Sequence, residues 1–556
     1  MTTAKPKTVK LCLVETTDVH GVFFPYNFTE NRPMRGSMAR VSTYLKRMRQ
    51  EYGDHLILLD NGDILQGQPT NYYTNFVKTD EPNIAAQVLN YLKYDAEAFG
   101  NHDVEPGHKV YDKWLRDLDC PTLGANIIDI KSGQPYVEPY AIFERDGVRI
   151  AVLGMLTPAI PNWLHPSLWS GMRFEEMVSC AKRWVKTLRE KEQADFVVGM
   201  FHSGWDGGIS TPEYDEDATR KVVEQVEGFD VVFYGHDHRE KLFSHNGIPC
   251  LNPANNAQKV AQLTLEFQKQ KGRWKVTRQK ADIVDITGED IDSDYMDHFQ
   301  PVIDHVKAYI AQKIGSFKHT IRARDCFFGS AAFTDLIHRL QLDVTKSDIS
   351  FTAPLTFDSD INEGPVYMSD MFKLYRFENQ VYALQMTGDE VRRHLEMSYD
   401  LWVNTMTSPD DHIMLLNAES VNDNQRSGFK NYTFNFDSAA GIDYEVDVTQ
   451  PNGQKVRILQ MSDGRPFDPN RTYRVAMNSY RANGGGELLV RGAGIPMDSI
   501  PNRIIYMSER DLRHYLTEKI RHDGEVDAKP LNNWRFFPDE WAQPAIARDR
   551  KIIFRE

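Results

Sequence analysis

Short runs of apolar residues in the first half of the chain end in turns that carry Asp, Asn or His. The run at residues 96–99 stops at Gly100, and Asn101, His102 and Asp103 follow it directly. A short apolar run bounded by turn residues is typical of a strand that is buried on both faces. In open α/β sheets, ligands bind at the carboxyl ends of the strands, which is where these polar residues are expected.

The same pattern recurs along most of the first 287 residues. Further strands are predicted at residues 10–16, 55–59, 148–153, 195–200 and 230–234, and helices at residues 37–52, 82–91, 107–118, 174–190 and 220–227. Regular alternation of helices with short buried strands predicts a layered α/β domain.

The turns after these strands supply side chains that suit metal binding, namely Asp18, His20, Asp63, Asn101, His202, His236 and His238. Imidazole and carboxylate ligands without cysteine sulfur fit a catalytic site for zinc, iron, manganese or nickel. Seven ligands exceed the needs of one four-coordinate ion, so the sequence predicts two divalent ions that share one carboxylate. Asp63, the single acid on the second strand, is the natural bridge between them.

Each of these signals has an ordinary explanation when it stands alone. An Asp-x-His pair such as Asp18 and His20 occurs by chance in many chains, and a single His202 is more often a hydrogen-bonded core histidine. The pair His236 and His238 is equally compatible with a polar turn. Chance does not explain why such residues terminate successive predicted strands, so we favour the metal site.

Length and charge limit the class of protein. A chain of 556 residues exceeds one ordinary core, so two domains are expected. A net charge of −14 argues against polynucleotide binding. No apolar run is long enough to cross a bilayer. The first residues lack an apolar signal core, which fits either a cytoplasmic protein or a mature form whose export signal was removed. Five cysteines without a CxxC pair argue against thiolate metal sites.

The predicted domains are residues 1–287, a linker helix within residues 288–316, and residues 317–556. The linker carries an apolar stripe that consists of Phe299, Val302, Val306, Ile310 and Ile314. The second domain mixes a helix at residues 333–342 with strands at residues 381–386, 444–448 and 473–477, which predicts an α+β fold.

Five motifs in the first domain resemble the calcineurin-like metallophosphoesterases. In order they are Asp18-x-His20, Gly62-Asp63, Gly100-Asn101-His102, His202 and Gly235-His236-x-His238. The second domain resembles the C-terminal domain of the 5′-nucleotidase family, through residues 376–379, 386–388, 441–444 and 479–485. The amino-acid sequence at residues 443–451 and 480–482 is most similar to that of the branch that includes the 2′,3′-cyclic-nucleotide 2′-phosphodiesterase/3′-nucleotidases.

The resemblance implies a four-layer α/β/β/α first domain and a division of the ligands between two ions. One ion would be held by Asp18, His20, Asp63 and His238, and the other by Asp63, Asn101, His202 and His236. His102 would face the phosphoryl oxygens and stabilise charge in the transition state. Glu105 stands where relatives commonly have Asp, and it would orient His102.

The resemblance also implies a small-molecule nucleotide substrate and hydrolysis by in-line attack of a hydroxide that bridges zinc, manganese or iron ions. Tyr444 and Tyr480 would sandwich the base, and Arg376 and Asn379 would also contact the substrate. A monomer is expected, located in the periplasm or otherwise outside the cytoplasm if an export signal was removed.

Two other functions remain open at this point. A DNA nuclease can use the same metal core, although the chain shows no basic stripe. A non-catalytic binding protein on this scaffold would show the loss of a ligand, whereas every ligand position is filled.

Overall fold

The computed structural model describes residues 7–417 and 427–555. The chain divides into two compact units, Met1–Tyr309 and Ile310–Glu556. Residues 1–6, which carry most of the stretch predicted to lack a signal core, lie outside the described residues. No helix among the described residues is long and apolar enough to cross a membrane.

Two six-stranded sheets form the centre of the first unit. The strands of the first sheet, in spatial order, are Arg273–Asp285, Lys259–Gln270, Thr8–Thr16, Leu56–Asp60, Ala96–Ala98 and Thr122–Leu123. Those of the second are Glu240–His245, Ile248–Pro253, Val231–Tyr234, Phe196–His202, Val148–Leu156 and Tyr140–Arg145. The inner strands of both sheets run parallel, so their carboxyl ends share one edge of each sheet.

The two sheets pack face to face through an apolar core. Leu13 and Ile57 from the first sheet and Val152 and Val198 from the second belong to this cluster, and all four are buried. Helices flank the sheets, and those longer than five residues are Met38–Tyr52, Ile84–Leu92, His108–Asp117, Met177–Glu190 and Thr219–Gln225. The predicted four-layer α/β/β/α arrangement is therefore confirmed.

The linker region differs in part from the sequence prediction. The helix is Ser293–Ile310, and Ile314 lies instead in the strand Lys313–Phe317, which pairs with Gly364–Tyr367. Tyr295 and Phe299 of the helix pack on Tyr91 of the first unit. Strand pairing overrides the helical spacing at Ile314 because the apolar stripe alone does not say where a helix ends.

The described part of the second unit has a five-stranded mixed sheet, two three-stranded sheets and a two-stranded sheet of Ile321–Arg322 and Asp360–Ile361. The five-stranded sheet has the order Ser438–Ala440, Ile349–Thr352, Thr472–Asn478, Gln380–Thr387 and Ile504–Asp511. The three-stranded sheets are Val456–Met461, Ile442–Asp447 and Trp534–Phe537, and Gly364–Tyr367, Lys313–Phe317 and Glu525–Val526. The helices longer than five residues are Ala332–Thr345, Met368–Leu374, Gly388–Trp402, Leu512–Asp523 and Asp539–Phe554. The predicted α+β fold is confirmed.

Two buried acids lie side by side on neighbouring strands of the first sheet. Asp60 and Glu97 are paired in register and both are fully buried. Burial raises the pKa of Glu97 well above its usual range, and the charges of Asp60 and Asp103 add to the shift. The folded protein therefore retains a proton on Glu97 at a pH where the unfolded chain releases it.

This proton gives a testable pH dependence of stability. An unfolded Glu has a pKa of about 4.3, so above that pH the wild type loses stability as the pH rises, because only the folded state keeps the proton. The side chain of Glu97→Gln carries no titratable proton. The melting temperature of the variant minus that of the wild type should therefore increase as the pH is raised from 4.5 to 8. Exposed Glu227→Gln is the control and should show no such trend. A constant difference across this range would contradict the assignment.

Candidate metal centre

The seven predicted ligands lie at the carboxyl ends of five parallel strands. Three of these strands, Thr8–Thr16, Leu56–Asp60 and Ala96–Ala98, are neighbours in the first sheet. The other two, Phe196–His202 and Val231–Tyr234, are neighbours in the second sheet. The structure brings all seven side chains together at this common edge.

The first group of candidate ligand atoms comes from Asp18, His20, Asp63 and His238. One atom of each lies within 4.8 Å of the others. The Nε2 atoms of His20 and His238 are 3.0 Å apart, and His238 Nε2 lies 3.2 Å from Asp18 Oδ1. Four nitrogen and oxygen atoms that converge in this way fit a divalent ion.

The second group is formed by Asp63, His202 and His236, whose candidate atoms also lie within 4.8 Å of one another. His202 Nε2 is 3.2 Å from Asp63 Oδ2. Asn101 adjoins this group, because its Oδ1 is 2.8 Å from His236 Nδ1. Asp63 is the residue that both groups have in common.

Two buried atoms of the site, Asp18 Oδ1 and His202 Nε2, each lie 3.2 Å from another candidate ligand atom but make no well-aligned hydrogen bond within the described part of the chain. Both side chains are fully buried. Buried polar atoms are nearly always partnered, so an unpartnered pair at one point indicates a missing partner. A divalent cation satisfies a carboxylate oxygen and an imidazole nitrogen together, and the donor set fits it.

Most of the candidate ligands adopt a left-handed backbone conformation. The φ angles are 50° for Asp18, 48° for His20, 59° for Asp63, 75° for His236 and 56° for His238. Positive φ is uncommon for residues other than glycine, and such strain concentrates at functional sites. The turns direct these side chains toward one point at the cost of local strain.

The turns that carry Asp63 and Asn101 are tied together by Asp103, whose role the sequence did not reveal. Its buried carboxylate accepts hydrogen bonds from the backbone N–H groups of Asp63 at 2.7 Å, Ile64 at 2.9 Å, Leu65 at 2.8 Å and Gly100 at 2.8 Å. A Cβ on Gly100 would lie 2.1 Å from the carboxylate of Asp63, so only glycine fits there.

His102 and Glu105 form a pair beside the ligands. His102 Nδ1 is 2.6 Å from Glu105 Oε2, so the longer side chain of Glu105 does reach the imidazole. The backbone N–H of His102 donates to Asp63 Oδ1 at 2.8 Å. Burial would lower the pKa of His102, but Asp63 and Glu105 raise it to about 9. These two carboxylates favour the cationic form of the imidazole, which is the form that suits the predicted contact with phosphoryl oxygens.

The surroundings shift the pKa values of the histidines of the centre in different directions. Burial lowers the pKa of His20 to about 4, with a further contribution from His238. A neutral imidazole is the form that binds a metal. Burial would also lower the pKa of His236, but the hydrogen bond to Glu216 and the charge of Asp217 raise it to about 10.

Tyr444 does not lie where the sequence prediction placed it. The ring is 1% exposed and stacks on Trp534 at a centroid distance of 5.8 Å. Its hydroxyl is bonded to the hydroxyl of Tyr399 at 2.8 Å and accepts from the N–H of Ala439. No ring face is open to a base, so Tyr444 is a core residue and its predicted stacking role is wrong.

Tyr480 is half-buried and lies near a second aromatic side chain that the sequence analysis missed. The ring of Phe434 stands perpendicular to it at 6.1 Å, and Phe434 stacks on Tyr432 at 5.2 Å. Arg481 links the two segments, because its guanidinium donates to the carbonyls of Phe434 and Gly485. The sequence feature that could have indicated Phe434 is the pair of aromatic residues two positions apart, Tyr432 and Phe434.

The other two predicted substrate residues lie on one loop of the second unit. Arg376 is exposed, and its carbonyl accepts a hydrogen bond from Arg513 at 2.9 Å. Asn379 is 8% exposed, and its Oδ1 accepts from the hydroxyl of Tyr375 at 3.2 Å. Substrate contact by Arg376 or Asn379 stays a prediction.

Two family models match the chain in separate regions. Residues 13–240 match the calcineurin-like phosphoesterases, and residues 313–491 match the 5′-nucleotidase C-terminal domain. The 2′,3′-cyclic-nucleotide 2′-phosphodiesterase/3′-nucleotidase of Yersinia enterocolitica is 25% identical, over 98% of this chain and 91% of the relative. Protein UshA of Escherichia coli is 23% identical over 86% of each chain.

Solved structures show the same fold. A protein assigned as a 5′-nucleotidase in Staphylococcus aureus has a TM-score of 0.79 at 20% identity, over 95% of this chain and all of that one. The 5′-nucleotidase precursor of Thermus thermophilus has a TM-score of 0.64 at 19% identity, over 95% of this chain and 99% of that one. At these identities the likeness concerns the fold alone.

The fold and the candidate ligand set are those of hydrolases of phosphoric ester bonds that use divalent metal. The chain thus combines a region that matches the calcineurin-like phosphoesterases with a region that matches the 5′-nucleotidase C-terminal domain. The predicted family is confirmed.

Asp63→Asn should reduce metal binding by both groups, since an amide lacks the negative charge that balances two cations. The substitution suits the backbone, because Asn tolerates the φ of 59° at this position. Metal content after dialysis, measured by mass spectrometry, should fall below that of the wild type. Exposed Asp146→Asn, with a φ of 53°, is the matched control. Two retained ions and full activity would overturn the shared role of Asp63.

Proposed function

We propose that this protein is a dinuclear metal phosphohydrolase that acts on nucleotides. The observation that supports this most directly is the pair of ligand groups with Asp63 in common. Relatives over nearly the whole chain are a cyclic-nucleotide phosphodiesterase/3′-nucleotidase and UshA. The proposed substrates are 5′-nucleotides, 3′-nucleotides and 2′,3′-cyclic nucleotides.

In this proposal Asp18, His20, Asp63 and His238 hold one ion. The second is held by Asp63, Asn101, His202 and His236. When bound, a pair of such ions activates water for attack on phosphorus and neutralises charge on the phosphoryl oxygens. Nitrogen and oxygen ligands favour zinc, manganese or iron.

The protein itself supplies orientation and a fixed positive charge. His102, whose cationic form is favoured by Asp63 and Glu105, is held by Glu105 through Nδ1, so Nε2 is the nitrogen that would donate to a phosphoryl oxygen. In phosphoryl transfer, such a donor stabilises charge that develops on the transferred group. The backbone bond from His102 to Asp63 couples the position of this donor to the candidate metal ligand.

The proposed base site consists of Tyr480 and Phe434 in the second unit. Both rings are only half-buried, in contrast to Tyr444. Stacking on aromatic rings tolerates any base, since every base has a π-face. We therefore expect broad base specificity, with phosphate position as the more selective feature.

A nuclease and a binding protein are the competing functions. The net charge of −14 disfavours polynucleotide binding. A non-catalytic protein has no need for a complete ligand set. A phosphate-release panel over 5′-, 3′- and 2′,3′-cyclic nucleotides, with and without chelator, tests the proposal. Chelator-sensitive release from mononucleotides is expected. Cleavage of DNA alone, or no release from any substrate, would contradict it.

His102→Ala should lower turnover without loss of metal. A positioned acid/base or charge-stabilising side chain contributes about 10²- to 10⁴-fold to the rate, so we expect a decrease in kcat of that size. Metal content should remain that of the wild type. His522→Ala, at an exposed position, is the control. If His102→Ala also removes metal, His102 is a ligand and the division of roles is wrong.

Tyr480→Ala should raise KM for nucleotides and spare p-nitrophenyl phosphate, which has no base to stack. Stacking contributes about 1–3 kcal/mol per base, which corresponds to about 5- to 150-fold in KM. Tyr480→Phe keeps the ring and should behave as the wild type. An equal loss on both substrates would show that Tyr480 supports the fold instead.

The monomeric state and a location outside the cytoplasm stay predictions. Sedimentation of the purified protein and fractionation of the cells that make it would test them.

A further inference from the structure

A short hairpin covers one side of His236. Its strands are Gly207–Ser210 and Asp215–Asp217, and Glu216 on the second strand lies at the imidazole. Glu216 Oε1 is 3.1 Å from His236 Nε2. The opposite ring nitrogen, Nδ1, is 2.8 Å from Asn101 Oδ1. The two nitrogens of this ring therefore face two different surroundings.

An imidazole can bind a metal through only one of these nitrogens when the other carries a proton. Nδ1 faces Asn101, a candidate ligand of the second ion, whereas Nε2 faces the carboxylate of Glu216. A carboxylate that accepts the second N–H of a histidine fixes the tautomer and ring orientation and makes the other nitrogen a stronger ligand. Glu216, Asp217 and His236 could themselves hold an ion, but Glu216 bonds Nε2, whereas Nδ1 is the nitrogen that faces the candidate ligand Asn101.

We propose that Glu216 is a positioning residue, which holds His236 with Nδ1 directed at the second ion of the centre. This inference rests on the proposed two-ion site. It assigns a function to a hairpin that the sequence analysis left without one.

The second oxygen of the Glu216 carboxylate is also held by a hydrogen bond. Its Oε2 accepts a hydrogen bond from the backbone N–H of Ile209 at 2.7 Å, across the hairpin. The backbone carbonyl of Glu216 accepts from the hydroxyls of Ser203 at 2.7 Å and Thr157 at 2.9 Å. Ser203 directly follows His202, so the hairpin is tied to the strand end that carries another candidate ligand.

The neighbouring acid is less suited to the same role. Asp217 Oδ1 is 3.9 Å from His236 Nε2, beyond hydrogen-bond distance. The same oxygen accepts the N–H of Gly204 at 2.9 Å. Asp217 therefore stabilises the turn, and Glu216 alone bonds the imidazole from this hairpin. On the same side, the ring of Trp163 lies 5.7 Å from that of His236.

The test is metal affinity of Glu216→Ala, measured with Mn²⁺ alone. The apo-protein is dialysed against a series of free Mn²⁺ concentrations, and the number of Mn²⁺ ions bound per chain is measured at each concentration. Loss of such a partner typically weakens affinity about 10- to 100-fold, so one of two ions should show this shift while the other keeps its wild-type affinity. Exposed Glu213→Ala, on the same hairpin, should leave both unchanged.

Further outcomes separate this inference from its alternatives. Glu216→Gln retains an acceptor oxygen and should recover part of the lost affinity, which a purely structural role of the hairpin does not predict. Wild-type affinity for both ions in Glu216→Ala would overturn the inference and leave the two-ion site intact. A wild type that binds fewer than two Mn²⁺ would overturn the proposed function instead. A zinc-loaded crystal structure with a Glu216 oxygen about 2.0–2.2 Å from the metal would make Glu216 a ligand and also overturn the inference.

Discussion

Four backbone N–H groups converge on the buried carboxylate of Asp103, and the candidate metal centre depends on this interaction. The donors come from the turn that carries Asp63 and from Gly100 of the next turn. Charge-assisted bonds of this kind are stronger than neutral ones. They hold Asp63 at a positive φ that the backbone alone would disfavour. The side chain shared by both ligand groups is thus fixed before any ion binds.

The ligand atoms themselves form an arrangement that divalent cations would stabilise. His20 and His238 bring two ring nitrogens within 3.0 Å of each other, and the fully buried Asp18 keeps an oxygen without a hydrogen bond in the described chain. Strain, burial and unmatched polar atoms therefore coincide at one point. Because a bound ion would partner these atoms, metal binding should add to the local order of the site.

The second unit shows where sequence reasoning failed and why. Tyr444 and Tyr480 both belong to motifs of the 5′-nucleotidase C-terminal domain, yet Tyr444 faces the core and Tyr480 is half-buried. The face of a strand on which a side chain lies depends on pairing and packing, and a shift of one position reverses it. Phe434 was missed because its segment forms no long periodic element, and its place beside Tyr480 depends on contacts such as the hydrogen bond from Arg481 to its carbonyl.

The sequence by itself determined the layered α/β fold, the family and the identity of the candidate metal ligands. Those signals are local, since each ligand follows its own strand within a few residues, and parallel strands bring their carboxyl ends to one edge. Only the tertiary structure decided the roles of Asp103, Glu216 and Phe434. Asp103 bonds a turn about forty residues earlier, and Glu216 reaches from a hairpin to His236, twenty residues later in the chain. Such contacts join segments whose spacing in the chain has no fixed period, so their geometry exists only after the layers have packed.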